Sequence, residues 1–236
     1  MTGVSVVIPV FNDREAIVTA ISRSVAMLED LGEDFEIIIA EDGSTDGSPA
    51  VVRAYSIREP RVQLLHSDNR LGRWRALSRA FREARGPVVC YYDVDLATDL
   101  SYLGRLISAI RDGYDISTGS RLLPESRIAR SQAREVASRG YNFLVRLILN
   151  SRLHDHQCGF KAFNRERLLA LLPAVRDTHW FWDTEVLVRA GRAGYRILEF
   201  PVAWNQGERT TVKRRDTWDM GRAILRLWWQ LHVSED

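Results

Sequence analysis

The chain has 236 residues, 45% of them hydrophobic and 27% charged, with a formal net charge of +2. This excludes a small disulfide scaffold and a disordered tail, and the near-neutral balance excludes a grossly basic nucleic-acid binder. A single large domain burying roughly 70–75% of its unfolded surface is expected. No run approaches the ~18–20 consecutive apolar residues of a membrane-spanning helix, and the start does not resemble a signal peptide. Cys90 and Cys158 allow one disulfide at most; Cys90 lies in an apolar run, and both are read as reduced, in a cytoplasmic protein.

The first half alternates strand and helix. Val4 to Val10 is a β-branched run, long enough for a buried strand and too short for a helix. Asn12 and Glu15 have capping-box spacing, Ile17, Ile21, Val25 and Leu28 form a helical stripe, and Gly32 closes that helix. Phe35 to Ala40 is a second strand. Ser48-Pro49 opens another helix, and Arg61 to His66 is a short strand. A helix over Trp74 to Ala84 stops at Gly86-Pro87. Val88 to Tyr92 is a strand, Asp99 to Asp112 is helical, and Ile116 to Gly119 ends a strand. This βαβαβαβα series requires an α/β fold with a mainly parallel sheet covered by helices on both faces.

After Arg121 the texture changes. Leu122 to Arg139 is arginine-rich without a strand signal, and a helix is expected over Tyr141 to Leu149. Cys158 to Phe163 and Ile197 to Val202 are strands, separated by a helix over Trp182 to Ala193 that Gly194 ends. Asn205 to Arg215 is a polar, basic loop. Trp218 to Leu231 is an amphipathic helix whose apolar stripe is Met220, Ile224, Leu227, Trp228 and Leu231. With Arg222 and Arg226 beside it, this helix suits a membrane interface or a partner helix, the ordinary alternative being packing on the chain's own sheet.

Ligands of parallel sheets bind at the carboxyl ends of strands, and three motifs fall there. Asp93-Val94-Asp95 follows a buried strand; carboxylates at i and i+2 project from one strand face and repel until a cation neutralises them. Mg²⁺ or Mn²⁺ held by two carboxylates and completed by substrate phosphates fits; a solvated turn is the alternative. Glu41-Asp42-Gly43-Ser44 offers acceptors to base or ribose hydroxyls, with Asp46 and Ser48 read as turn and cap residues. Ile8-Pro9-Val10-Phe11-Asn12 stiffens the first strand's exit and presents an aromatic ring to a planar base. Nearly all cationic charge is arginine, with only Lys161 and Lys213 as lysines. Coding bias accounts for the bulk of this, but individual arginines suit bidentate phosphate contacts.

Together, the Pro-x-aromatic-Asn step, the acidic Asp-Gly-Ser turn and Asp-x-Asp resemble glycosyltransferase family 2, inverting nucleotide-sugar enzymes with the Rossmann-like GT-A fold. Asn69 to Ala76, Gly119-Ser120-Arg121, Gln157 to Lys161 and Trp182 to Glu185 extend the likeness over about residues 4 to 220. They point to the branch of dolichyl- and polyprenyl-phosphate mannose and glucose synthases. The resemblance implies a GDP- or UDP-hexose donor cradled by Pro9, Phe11, Asp13, Ala40, Asp42 and Val94. It implies a metal on Asp93 and Asp95, and phosphate contacts from Arg121, Arg130, Arg209 and Lys213. Two departures stand out. Ala97 replaces a glutamine that serves some relatives as a further metal ligand, and Trp74 replaces a small residue after the Gly-basic pair. The implied division is 1–121 for the nucleotide sugar, 122–215 for the acceptor and 216–236 for the amphipathic helix.

The acceptor decides whether a base is required. A sugar hydroxyl needs one, whereas a phosphate monoester is largely a dianion at neutral pH and needs cations. Arg127, Arg130, Arg134 and Arg139, opposed only by Glu125 and Glu135, suit the phosphate, unless they form a solvated basic face. Asp183 is the candidate base, or else the cap of its helix; Glu185 is read as structural. Transfer to a polyprenyl phosphate is the leading expectation. The alternatives are a saccharide acceptor and a silent nucleotide-sugar binder. Many members of this branch continue into membrane spans, so a peripheral enzyme on the cytoplasmic membrane face, or a truncated chain, is expected.

Overall fold

Seven strands form one sheet in the order β3-β2-β1-β4-β7-β5-β8. The structure, a computed structural model, describes residues 2–205 and 214–233, the first five of the latter segment by backbone only. The strands are β1 (Val4–Val10), β2 (Phe35–Glu41), β3 (Val62–Leu65), β4 (Val88–Tyr92), β5 (Ile116–Ser120), β7 (Phe160–Asn164) and β8 (Ile197–Pro201). All pair in parallel except β7, which runs antiparallel between β4 and β5. A separate ribbon pairs β6 (Arg127–Ala129) with β9 (Ala203–Asn205).

The near-continuous apolar strands are buried on both sides, as parallel sheets require. One face carries Val4, Val6, Ile8 and Val10 against α1 (Arg14–Asp30), α2 (Ser48–Arg58) and α4 (Leu103–Arg111). The other carries Val7, Ile38 and Tyr91 against α3 (Arg73–Glu83), α6 (Arg165–Leu171) and α7 (Trp182–Arg192). The expected α/β architecture, mainly parallel with helices on both faces, is present. Gly32 closes α1 as expected: at φ 67° its N–H bonds Glu29 O while the Glu33 N–H reaches Leu28 O.

Several local expectations are corrected. Asn12 is not the α1 cap; Asp13 holds that position without a side-chain bond. Asn12 adopts φ 51°, and its Oδ1 accepts from Thr45 N at 2.8 Å, tying the loop after β1 to the loop after β2. The arginine-rich stretch contains β6, and α5 (Gln132–Leu149) begins well before Tyr141. A three-residue strand completed by a distant partner leaves no apolar run to detect, and the first turns of α5 are mostly exposed, so they lack a stripe. α6 was not anticipated, although Asn164 Oδ1 caps it by accepting from Arg167 N at 3.1 Å. The final helix, α8 (Arg214–Val233), starts earlier than Trp218. Its Ala223, Ile224, Leu227 and Leu231 pack on Val145, Leu149, Phe181 and Val188, which belong to α5, α7 and the residue preceding α7 rather than to the sheet. Cys90 and Cys158 are buried free thiols.

Candidate active site

The carboxyl ends of β1, β2, β4, β5 and β8 share one edge of the sheet. Because β7 runs the other way, its beginning joins them: Tyr92 of β4 pairs with Phe160. Asp13, Asp42, Asp93, Asp95, Arg121 and Gly159 therefore follow or precede strands at a common edge. Asp93 and Asp95 do not alternate along a strand as expected. They sit in the turn after β4, where Leu96 N bonds Asp93 O at 3.1 Å and Asp95 Oδ1 accepts from Ala97 N at 3.0 Å. They still converge. Partial desolvation and the Asp93 charge push the Asp95 carboxyl above its ordinary range, and Asp13 adds to the repulsion.

Asp93 is clasped from two sides. A Cβ built on Gly159 would run into the Asp93 carboxylate, so a side chain there would force Asp93 to move. On the other side Arg73 Nη2 donates to Asp93 Oδ1 and, at 2.8 Å, to the Tyr91 hydroxyl. Two hard oxygen donors that repel one another suit a divalent cation shared with substrate oxygens. Among the described residues no group of three or more His, Cys, Asp or Glu stands ready to hold a metal ion.

The nucleotide-side candidates lie together. Pro9 and Ala40 are register partners on β1 and β2, and Phe11 is exposed beneath the Arg70 guanidinium, 3.9 Å from its ring centroid. Asp42 is buried and already engaged, accepting from Leu71 N at 2.6 Å and Gly72 N at 3.1 Å. Burial nevertheless raises its carboxyl above the usual range. Asp46 accepts from Ser48 N and Oγ and from Arg14 N, a turn role as expected.

Opposite lies a basic wall. Arg121 is tied to buried Asp155 through Nε at 2.7 Å and Nη2 at 2.9 Å, leaving Nη1 outside this pair. Arg130 Nε and Nη2 are buried with no hydrogen-bond partner among the described residues. Desolvation and the neighbouring Arg121 charge lower its affinity for the proton. A buried donor without an acceptor is costly, and an anion there would satisfy it. Of the other arginines, Arg139 pairs with Glu135 at 2.8 Å on the exposed face of α5. Arg209 and Lys213 lie outside the described residues.

Asp183 does not cap α7, whose first turn begins after Phe181. Its Oδ1 instead receives Lys161 Nζ at 2.7 Å, with the Tyr91 hydroxyl 3.4 Å away. Glu185 is structural as expected, accepting from Arg176 N, Asp177 N and Arg189 Nε. Sequence reasoning assigned no role to Arg73, Tyr91, Gly159, Lys161 or Asp155. The available signal was Lys161 itself, one of two lysines in the chain, set inside an apolar strand. A cleft of about 640 Å³ between the Asp177–Phe181 segment and α8 opens beside Asp183, sharing His179 and Trp180 with its pocket.

Comparison with known proteins gives the family and the fold. A profile of Glycosyl transferase family 2 matches residues 5–171. Glycosyltransferase AglD of Haloferax volcanii is 49% identical over 98% of this chain, which spans only 38% of AglD. The dolichyl-phosphate beta-glucosyltransferase of Saccharomyces cerevisiae is 29% identical over 86% of this chain and 66% of its own length. Glucosyl-3-phosphoglycerate synthase from Mycobacterium tuberculosis, solved with UDP, superposes with a TM-score of 0.71 at 20% identity over 97% of this chain and 79% of that one. Mannosyltransferase PcManGT from Pyrobaculum calidifontis, solved with GDP-Man and Mn²⁺, gives 0.64 at 20% identity over 99% and 64%. Likeness at this identity establishes the GT-A fold alone.

Proposed function

Because this chain belongs to glycosyl transferase family 2 and is a glycosyltransferase, we propose that it moves a hexose, mannose or glucose, from UDP or GDP to a polyprenyl phosphate with inversion. The observation that carries this reading is that Arg121, whose charge acts on Asp93, and its neighbour Arg130, whose Nε and Nη2 lack a hydrogen-bond partner among the described residues, stand with the repelling carboxylates Asp93 and Asp95. The carboxylates suit a metal-bridged diphosphate, the arginines a phosphate acceptor. Residues 1–121 hold the donor: Phe11 offers a ring to the base, Pro9, Ala40 and Val94 shape the floor, and Asp13 and Asp42 line the polar side. Residues 122–215 receive the acceptor, and α8 flanks them.

Bound Mg²⁺ or Mn²⁺ would neutralise the charge that accumulates on the leaving diphosphate. The chain's own part is to hold that charge in place. Asp93 and Asp95 would hold the ion against the diphosphate, and the arginines oppose the acceptor's negative oxygens without reorganising during reaction. Asp183 Oδ1 already accepts from the Lys161 ammonium, so that oxygen is not free to take a hydroxyl proton as a base. A phosphate dianion needs none, and this favours it over a saccharide hydroxyl. The test is a nucleotide-sugar panel with Mn²⁺ or Mg²⁺ and a short-chain polyprenyl phosphate, scored by product mass. Polyprenyl-phosphate hexose is the expected product, and Asp183→Asn is expected to keep its kcat within about tenfold. A general base would instead be worth ~10²–10⁴-fold, so a loss of that size, with melting unchanged, favours a hydroxyl acceptor. Donor binding without turnover would make the chain a silent binder.

The same reading places the enzyme peripherally on a membrane, at its cytoplasmic face, where two free thiols are compatible with the redox poise. No helix among the described residues is long and apolar enough to cross a bilayer. The packed helices α5 and α8 nevertheless leave Phe143 and Leu147, and Leu225 and Trp229, exposed. Arginine beside exposed aromatic and leucine side chains suits anionic headgroups. The wild type is expected to co-sediment with vesicles containing anionic lipid. Leu147→Glu combined with Trp229→Glu should abolish this while melting stays unchanged, since exposed substitutions shift stability by only about 0.5 kcal/mol. Undiminished sedimentation of the double variant would contradict the placement.

A further inference from the structure

We propose that Arg73 is a built-in counter-ion that holds the cation position at Asp93 until a divalent metal arrives with the nucleotide, and that the Asn69–Gly72 loop links this exchange to the nucleotide cleft. The inference rests on the metal reading above and adds a residue and an order of events to it.

Asp93 cannot stand unneutralised beside Asp95. Arg73 supplies one positive charge from the first turn of α3, donating to Asp93 Oδ1 and to the Tyr91 hydroxyl. The guanidinium carbon also lies 5.7 Å from the centroid of the Tyr91 ring. Gly159 presses on the far oxygen of Asp93, so the carboxylate is confined between a backbone and a cation. A metal taking Asp93 Oδ1 competes with the guanidinium for that oxygen, and the two cations repel.

The residues just before Arg73 explain when this happens. Leu71 N and Gly72 N both donate to the Asp42 carboxylate. Gly72 adopts φ 93°, a conformation glycine tolerates and other residues resist. Asp42 thereby anchors the start of α3 and the position of Arg73. Asp42 also stands at the end of β2, beside the Phe11 and Arg70 pair of the nucleotide cleft. A nucleoside that draws on the Asp42 oxygens releases the two N–H groups and lets Arg73 withdraw. Asp183, already paired with Lys161, is an acidic group nearby. Nucleotide and metal would then bind with positive coupling, reciprocal in both directions.

The test is Mn²⁺ titration of the full chain by electron paramagnetic resonance of the free ion, with and without nucleoside diphosphate. Arg73→Met is expected to bind Mn²⁺ alone about 10- to 100-fold more tightly than the wild type, and to lose most of the enhancement that nucleotide gives the wild type. Arg73→Lys, which keeps a shorter-reaching charge, should fall between them and serves if Arg73→Met does not fold. Equal Mn²⁺ affinity in wild type and variants would overturn the counter-ion role and leave the metal site standing. Weaker binding in the variants would make Arg73 a support of the site rather than its occupant. No Mn²⁺ binding by any form, with or without nucleotide, would overturn the metal reading beneath it.

Discussion

Asp95→Asn is expected to lower turnover by about 10²- to 10³-fold, the cost of removing one preorganised group from developing charge, without lowering the melting temperature. Among the described residues Asp95 accepts only a local bond from Ala97, and it is repelled by Asp93 and Asp13. Neutralising it relieves repulsion while removing a proposed metal ligand. Asp93→Asn should lose activity to the same degree but also lose stability, because Arg73, which also donates to the buried Tyr91 hydroxyl, remains behind without its anion. The Arg73–Asp93 pair is about one-third exposed on each side, so that loss is roughly 1 kcal/mol rather than the several of a buried pair. Steady-state release of nucleoside diphosphate, with thermal melts in chelator, measures both. A common structural cause would make the two variants melt alike; equal activity of either with wild type would remove its carboxylate from the chemistry.

Asp155→Ala is expected to destabilise the fold by about 3–5 kcal/mol, the cost of breaking a buried ion pair from one side. Asp155 is fully buried and accepts from Arg121 N at 2.9 Å, from Arg121 Nε and Nη2, and from Gln157 N at 3.0 Å. Burial alone would raise its carboxyl. The Arg121 guanidinium and these N–H groups overcome that and hold it well below the usual carboxylate range. A carboxyl depressed in the folded state contributes its full stabilisation above the unfolded pKa of about 3.9 and loses it as pH falls below that value. The gap in melting temperature between wild type and Asp155→Ala should therefore be constant from neutral pH to about pH 5 and narrow below pH 4. A gap independent of pH throughout would show that the carboxylate charge is not what holds this corner.

Apolar strands were legible from residue type because a parallel sheet buries both faces of each strand, as in Val4–Val10 and Val88–Tyr92. The placement of motifs at strand ends followed from the βα alternation. The direction of β7 was not legible: five residues that read Phe-Lys-Ala-Phe-Asn do not encode whether their neighbours run parallel. That reversal brings Gly159 against Asp93 and Lys161 against Tyr91, so the inner ring of the site stayed hidden while its acidic rim was visible. Family membership was readable from the motif set. The Asp183 cap and the strand-face geometry of Asp-x-Asp failed because each was argued from local spacing, whereas long-range partners settled both positions.

The central claim is that Asp93 and Asp95 grip a divalent cation that neutralises a departing diphosphate. A crystal of the full chain grown with Mn²⁺ and nucleoside diphosphate tests it most directly, using the anomalous signal of manganese. One peak bridging both carboxylates and the diphosphate, with Arg73 withdrawn from Asp93, is the result this account requires. Nucleotide in the cleft with no peak, and Asp93 still paired to Arg73, would contradict it.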